Sequence, residues 1–185
     1  MKKIIVGITG ASGALMGYRL LEELHRHPDV ETHLIVSSAA RKNFELETDL
    51  AMDDVFALAD VVYDEFDMAA AISSGSFRVD GMVVIPCSMK TLAGISAGFD
   101  VNLIIRAAGI CLKERRKLVL VPRETPLSEI HLRNMVTVTE AGAVLLPPML
   151  TFYNGSETLE QQVTHIVGKV LMQFDLDTEG FVPWS

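Results

Sequence analysis

The chain has 185 residues, of which 49% are apolar and 22% charged, and its net charge is −8. A chain of this size can bury roughly 70% of its extended surface, which excludes a disordered protein and one that depends on disulfide staples. The acidic balance argues against a nucleic-acid or anionic-membrane surface, and the two cysteines, Cys87 and Cys111, form neither a CxxC nor a zinc pattern and suit a reducing, cytoplasmic compartment.

The sequence opens MKKIIVGITGASG. Its two lysines resemble the start of a signal peptide, but glycines break the apolar run after about five residues, and no stretch reaches the ~18 apolar residues of a membrane span. Residues 3–7 (KIIVG) predict a first strand, and 14–27 a helix with Leu20, Leu21 and Leu24 on one face. Residues 33–37 (HLIVS) predict a second strand, followed by a helix over 41–48, and residues 52–72 read as a helix and a less regular excursion. Residues 81–87 (GMVVIPC) are a third strand, with helices over 88–98 and 101–116. Residues 117–122 (KLVLVP) and 143–148 (AVLLPP) are a fourth and a fifth, bridged by a helix over 127–140. A last helix, 159–174, carries Leu159, Val163, Ile166, Val167, Val170 and Phe174 on one stripe. The strands are apolar throughout, as strands covered on both faces are. Alternation with helices predicts right-handed βαβ units and a doubly wound parallel α/β sheet, one domain over 1–185. The high mean hydropathy predicts extensive subunit contacts.

Ligands of open α/β sheets bind beyond the carboxyl ends of the strands. The segments there are TGASG (9–13), SSAA (37–40), PCSMKT (86–91), PRETP (122–126) and PMLTFY (148–153). Four of the five set hydroxyl or charged groups beside small residues, and the fifth ends in an aromatic pair. Gly7, Gly10 and Gly13 open the first helix, where backbone N–H groups and the helix dipole favour an anion. Ser12 there is a hydroxyl donor or simply a cap. The spacing is neither G-x-G-x-x-G nor a Walker loop. Ser37 and Ser38 stand where a dinucleotide fold places an acidic residue, and suit a phosphate or a ribityl chain. Ser88, Met89, Lys90 and Thr91 open a second helix at the same edge, with Ser88 also an N-cap candidate.

Arg106 and Lys113 are seven residues apart, which at about 100° per residue returns them to one face of an otherwise apolar helix. Two cations on a mostly buried face require an anion, a ligand phosphate being one candidate. Lys113, Arg115 and Arg116 also suit a helix C-terminus. Arg123–Glu124 can bind an anion and move a proton, or form a loop ion pair. Glu47 is a second candidate carboxylate or a solvated helix end. Phe152–Tyr153 can close over a flat ring, hydrogen-bond a phosphate or pack the core. Cys87 is a possible nucleophile or a small buried residue. The five histidines show no metal-ligand spacing.

The segments TGASGA (9–14), SSGSF (73–77), PCSMKTLAGI (86–95), RAAG (106–109), LKERRKLVLVPRETPLS (112–128), IHLRNM (130–135), LPPM (146–149) and FYN (152–154) resemble the flavin prenyltransferases. This is the UbiX-type family, once described as small subunits of phenylacrylic or hydroxyarylic acid decarboxylases. The resemblance runs through essentially the whole chain, and the LKER–PRETP–IHL block is its most specific part. It implies a flavodoxin-like or Rossmann-like three-layer fold assembled as a dodecamer. It implies an enzyme that joins a dimethylallyl group from dimethylallyl monophosphate to N5 and C6 of reduced FMN, without metal. The product, prenylated FMN, would serve a UbiD-type decarboxylase. By position, Gly10, Ala11, Ser12, Ser37, Ser88, Met89, Lys90, Thr91 and Arg123 would hold FMN. Arg106, Lys113, Tyr153 and Lys169 would hold the donor phosphate, some from a neighbouring subunit. Ser74 and Gly75 would line the prenyl pocket. Glu124, Glu47, Ser12 and Lys113 would take part in catalysis, the two glutamates handling protons. Two departures stand out: Lys169 where many members have arginine, which keeps the charge but loses the bidentate fork, and an FVPWS tail that keeps Trp184 but lacks the basic residue often found before it. An FMN-dependent decarboxylase and a non-catalytic FMN-binding subunit are the alternatives. A decarboxylase of the cysteine-decarboxylating kind would need a histidine near the first helix, and His25 and His27 lie far along it from the glycine turn.

Overall fold

The computed structural model describes residues 1–184; Ser185, the last residue of the FVPWS tail, lies outside them. Six strands form one parallel sheet: β1 (Lys2–Ile8), β2 (Val30–Val36), β3 (Val61–Tyr63), β4 (Gly81–Cys87), β5 (Lys117–Pro122) and β6 (Val144–Leu145), in the order β3-β2-β1-β4-β5-β6. Helices α1 (Ala14–His25), α2 (Ser38–Glu47), α3 (Met52–Phe56), α4 (Met89–Ala97), α5 (Leu103–Lys113), α6 (Glu129–Glu140) and α7 (Leu159–Leu171) connect and cover it. The strand order reverses between β1 and β4, and the loops there open the crevice where doubly wound sheets bind ligands.

The predicted strands and helices form, with shifts of a few residues at their ends. One strand had no counterpart in the sequence reading. Val61–Tyr63 pairs with β2 at the sheet edge and makes the order six-stranded rather than five-stranded. Its three residues are too few for an apolar run to stand out. The fifth predicted strand, 143–148, shrinks to Val144–Leu145, because the prolines at 147 and 148 cannot donate to a ladder.

Two apolar layers sandwich the sheet. Ile4, Val6, Ile8, Leu34, Val83 and Val121 point to one face, under α1, α2 and α7, with Leu20, Phe44 and Val167. Ile5, Ile35, Met82, Val84, Leu118 and Leu120 point to the other, under α4 and α5, with Leu92, Ile104 and Cys111. This alternation is why the strands read as unbroken apolar runs. Burial of Phe44 fixes the roll of α2, and with it the direction of Glu47 three residues on. A third set of apolar side chains has no cover within the subunit: Ile130, Leu132 and Val136 on α6, then Met149, Leu150 and Phe152. Among the described residues no helix is long and apolar enough to cross a membrane.

Phe44→Ala is expected to lower stability by about 3–5 kcal/mol, the usual range for a fully buried aromatic side chain. A shifted midpoint in urea denaturation reads this directly.

Candidate functional site

The loops after β1, β2 and β4 are tied together by buried hydrogen bonds. Thr9, only 2% exposed, donates its hydroxyl to the Pro86 carbonyl at 2.8 Å and accepts the Ser88 N–H at 2.8 Å. Its own N–H reaches the same carbonyl at 3.2 Å. Asn43 on α2 donates to the Ala11 carbonyl at 2.8 Å. Gly10 lies against Ala39 so closely that a Cβ would collide with the Ala39 methyl. Gly13 has φ 105°, the left-handed region that favours glycine. These two glycines therefore serve loop packing and a helix start, besides leaving backbone exposed.

Three helix N-termini meet at this edge, each a natural seat for negative charge. Two are already taken. Glu47 Oε2 accepts the N–H groups of Gly13 and Ala14 at 2.8 and 3.0 Å, at the start of α1. Buried Glu65 accepts the Ser38 N–H at 2.7 Å, at the start of α2. The third, α4, is capped only by the Ser88 hydroxyl, which accepts the Thr91 N–H. The N–H groups of Met89 and Lys90 find no acceptor among the described residues. Sequence reasoning treated Glu47 as a candidate acid without seeing its partner, and missed Glu65 and the tie through Thr9. An acidic residue just beyond the short apolar VVY run was the available signal for Glu65.

A cleft of about 520 Å³ is lined by Ser12, Gly13, Glu47, Arg123 and the Leu159–Ile166 stretch of α7. A second, of about 510 Å³, is lined by Arg123, Glu124, Met135 and Pro147–Met149. Arg123 and Pro148 belong to both, so Arg123 borders the cleft of each glutamate. Arg123 and Glu124 are both exposed, and Glu124 accepts only the neighbouring Thr125 N–H, so they do not form the loop ion pair that was one reading of PRETP.

Arg106 and Lys113 lie elsewhere. Arg106 donates to Asp100 Oδ2 at 2.9 Å and to the Ser73 carbonyl at 3.2 Å. Lys113 pairs with Glu114 at 2.5 Å, and its ammonium lowers the Glu114 carboxyl below its ordinary range. Ser74 and Gly75 are beside them: a Cβ on Gly75 would come within 2.8 Å of the Lys113 ammonium. The expectation that both cations sit on a buried face and need a ligand anion is corrected here. Their side chains are 39% and 53% exposed, and each has a carboxylate of its own. α5 runs back along the sheet, so Lys113 precedes the start of β5 while Glu124 follows its end, about 17 Å away at 3.3 Å per residue. Within one subunit these residues do not share a hollow with Glu124.

Tyr153 and Lys169 form a third group. Tyr153 meets His165 edge-on at 6.0 Å, and Lys169 lies 5.7 Å from the Phe181 ring. Phe152 is 90% exposed and Tyr153 49%, so neither packs the core. Cys87 is buried, and burial pushes its thiol up to about 12, which suits a packing residue and not a nucleophile. Among the described residues no group of three or more His, Cys, Asp or Glu is placed to hold a metal ion.

The Flavoprotein family model matches residues 1–174. A probable UbiX-like flavin prenyltransferase of Sedimentibacter hydroxybenzoicus is 55% identical over 183 residues, 99% of this chain and 97% of that protein. A crystal structure of a dodecameric FMN-dependent UbiX-like decarboxylase from Escherichia coli O157:H7 superposes with TM-score 0.97 at 55% identity, covering 99% of each chain. A structure of AnUbiX (PadA1) with FMN and dimethylallyl pyrophosphate superposes with TM-score 0.96 at 53% identity, covering 100% of this chain and 97% of that one. The chain belongs to the UbiX-type flavin prenyltransferases. The residues at the β1–β4 crevice fit the FMN that the family uses. The unclaimed α4 N-terminus suits its phosphate. The Ser37 hydroxyl, a cap that only accepts, retains its proton for a further donor bond, and Arg123 is an unpaired cation among the described residues.

Thr9→Val, which keeps the shape and removes the tie, is expected to weaken FMN binding about tenfold; quenching of flavin fluorescence on titration measures it. Native protein at pH 8 is expected to leave Cys87 and Cys111 unmodified by iodoacetamide, since both thiols sit near 12. Mass spectrometry of the treated protein checks this.

Proposed function

We propose that this protein transfers a dimethylallyl group from dimethylallyl monophosphate to reduced FMN, forming bonds at N5 and C6, and hands prenylated FMN to a UbiD-type aromatic acid decarboxylase. Reduced FMN supplies the nucleophilic ring atoms and is itself the acceptor. The observation that carries the reading is the arrangement around Arg123: a cation that lines both the cleft of Glu47 and the cleft of Glu124, at an edge where one helix N-terminus has no carboxylate of its own.

Each residue group has a task that follows from its surroundings. The Met89 and Lys90 N–H groups receive the FMN phosphate, and the Ser88 hydroxyl, which accepts the Thr91 N–H and donates to Thr91 Oγ1, joins them by turning its proton from Thr91 to the phosphate. Gly10, Ala11, Ser12 and Ser37 line the flavin's path from there to the cleft. Glu47 is held by one oxygen; its Oε1 makes no hydrogen bond among the described residues and is available to take up or deliver a proton. The allylic C–O bond breaks with its electron pair going to the phosphate, so the leaving group gains negative charge as the bond opens. Cations and hydroxyls stabilise that charge most where water is excluded. Tyr153 and Lys169 supply a hydroxyl and an ammonium. Arg106 and Lys113 supply two more cations, with Ser74 and Gly75 of the same group against the prenyl chain. The N5 bond replaces the allylic C–O bond and frees the N5 proton; the C6 bond is made by the prenyl double bond, whose other carbon takes up a proton while C6 loses its own to Glu124.

Because Lys113 and Glu124 lie at opposite sheet edges, we assign Arg106, Lys113, Ser74 and Gly75 to the site of a neighbouring subunit. The uncovered apolar residues of α6 and of Met149–Phe152 are the surface that would bring subunits together, in a dodecamer like that of the E. coli relative. The FMN-binding unit then spans 1–185 and works only in the assembly.

Anaerobic incubation with reduced FMN and dimethylallyl monophosphate is expected to yield prenylated FMN by mass spectrometry, and absence of any such product would count against the function. Glu124→Gln is expected to cut turnover by about 10²–10⁴-fold, the usual worth of general acid–base catalysis, while FMN stays bound. Inactive Glu124→Gln and Lys113→Ala proteins, unfolded together and refolded as mixed assemblies, are expected to regain measurable turnover. No recovery would place both residues in one subunit's site or leave one without a role.

A further inference from the structure

The last ten described residues do not end freely on the surface. Leu176 is buried in the core, the Asp177 carbonyl lies 2.9 Å from His27 Nε2, and the Thr178 hydroxyl donates to Glu23 at 2.6 Å. From this anchor on α1 the chain crosses α7. Phe181 stacks on the ring of His165, centroids 4.8 Å apart and planes at 25°. It also covers Gly168, where a Cβ would come within 2.7 Å of the Phe181 Cβ. Lys169 places its ammonium over the same ring, at 5.7 Å. Trp184 then meets Tyr153 edge-on at 4.9 Å, and Tyr153 meets His165 edge-on at 6.0 Å.

His165, Gly168 and Lys169 are spaced i, i+3 and i+4, so they form one patch on the surface of α7. The patch is shaped for the strap. Gly168 is the absent side chain that lets Phe181 descend, and His165 is the flat surface it lands on. His165 is 5% exposed and its Nδ1 has no hydrogen-bond partner among the described residues, so the ring is held for its faces and not for its polar atoms. Burial, with Lys169 next to it, pushes the imidazole below its ordinary range and keeps it neutral, as an apolar platform requires.

We propose that Phe181 and Gly168 are positioning residues: the C-terminal strap, seated on α7 through them, sets Tyr153 and Lys169 in place for the donor's phosphate. The proposal rests on the reading that Tyr153 and Lys169 hold that phosphate. A planar guanidinium holds a phosphate by its own fork, whereas the lysine at 169 is a single point charge on a flexible stem. The Phe181 ring beneath it restricts that stem, as cation–π contacts do.

The chain's one tryptophan, Trp184, reports the state of the strap. Gly168→Ala is expected to lift Phe181 and release Trp184, which is 76% exposed but held edge-on by Tyr153, lowering the steady-state anisotropy of its fluorescence by about half. It is also expected to raise the KM for dimethylallyl monophosphate about tenfold, with kcat changed by less than threefold and FMN affinity unchanged. Phe181→Ala, made from the strap side without touching α7, is expected to do the same, and Phe181→Tyr to behave as wild type. Anisotropy unchanged in both small-residue variants would show that the strap is not seated on α7 and overturn the proposal. So would a released Trp184 with an unchanged donor KM, or a loss confined to kcat. If the wild type forms no prenylated FMN at all, the function itself fails, a result the fluorescence experiment does not depend on.

Discussion

The site rests on the competition for positive helix ends at one edge of a parallel sheet. Every βα unit of such a sheet delivers a helix N-terminus to the same edge, and each brings N–H groups that need an acceptor. At the strand reversal three of them crowd together. Glu47 satisfies α1 and Glu65 satisfies α2, from distant parts of the chain, whereas α4 is left with its serine cap alone. A phosphate placed at α4 meets free donors, and one placed at α1 or α2 meets a carboxylate. The same contact that closes α1 to anions also holds Glu47 still, with one oxygen committed and one free. Anion selectivity and the orientation of an acid–base group thus come from a single interaction.

The second constraint is that a βαβ connection sends its helix back to the opposite edge. α5 therefore carries Lys113 away from Glu124, although the two are only eleven positions apart in sequence. Pairing of Arg106 with Asp100 and of Lys113 with Glu114 keeps these cations ordered and neutralised in the lone subunit. Exposed pairs of this kind are worth little to stability, so an incoming phosphate can replace or share the carboxylates at low cost. The apolar surface that remains uncovered on α6 gives the subunit a reason to assemble, and assembly is what would bring cations and carboxylates together.

Much of this was legible in the sequence because burial on both faces writes itself plainly: KIIVG, GMVVIPC and KLVLVP are strands as read, and the loops leaving them carry the hydroxyls and charges. Resemblance to a known family supplied what periodicity could not, namely the ligand and the residues at 74, 75 and 169. The failures have a common physical form. Val61–Tyr63 is too short to show a pattern, and its neighbour Glu65 acts on a helix 27 positions earlier. Thr9 works through a carbonyl and an N–H that lie 77 and 79 positions on. Helical spacing placed Arg106 and Lys113 on one face correctly, but spacing says nothing about burial or about which sheet edge that face reaches. Local patterns give elements; contacts between loops far apart in sequence give the site.

The most direct measurement is a crystal structure of the protein with FMN bound. The account predicts phosphate oxygens within hydrogen-bond distance of the Met89 and Lys90 N–H groups at the start of α4, with Glu47 still on the Gly13 and Ala14 N–H groups and Glu65 still on Ser38. A phosphate seated on α1 or α2, with its carboxylate displaced, would contradict it.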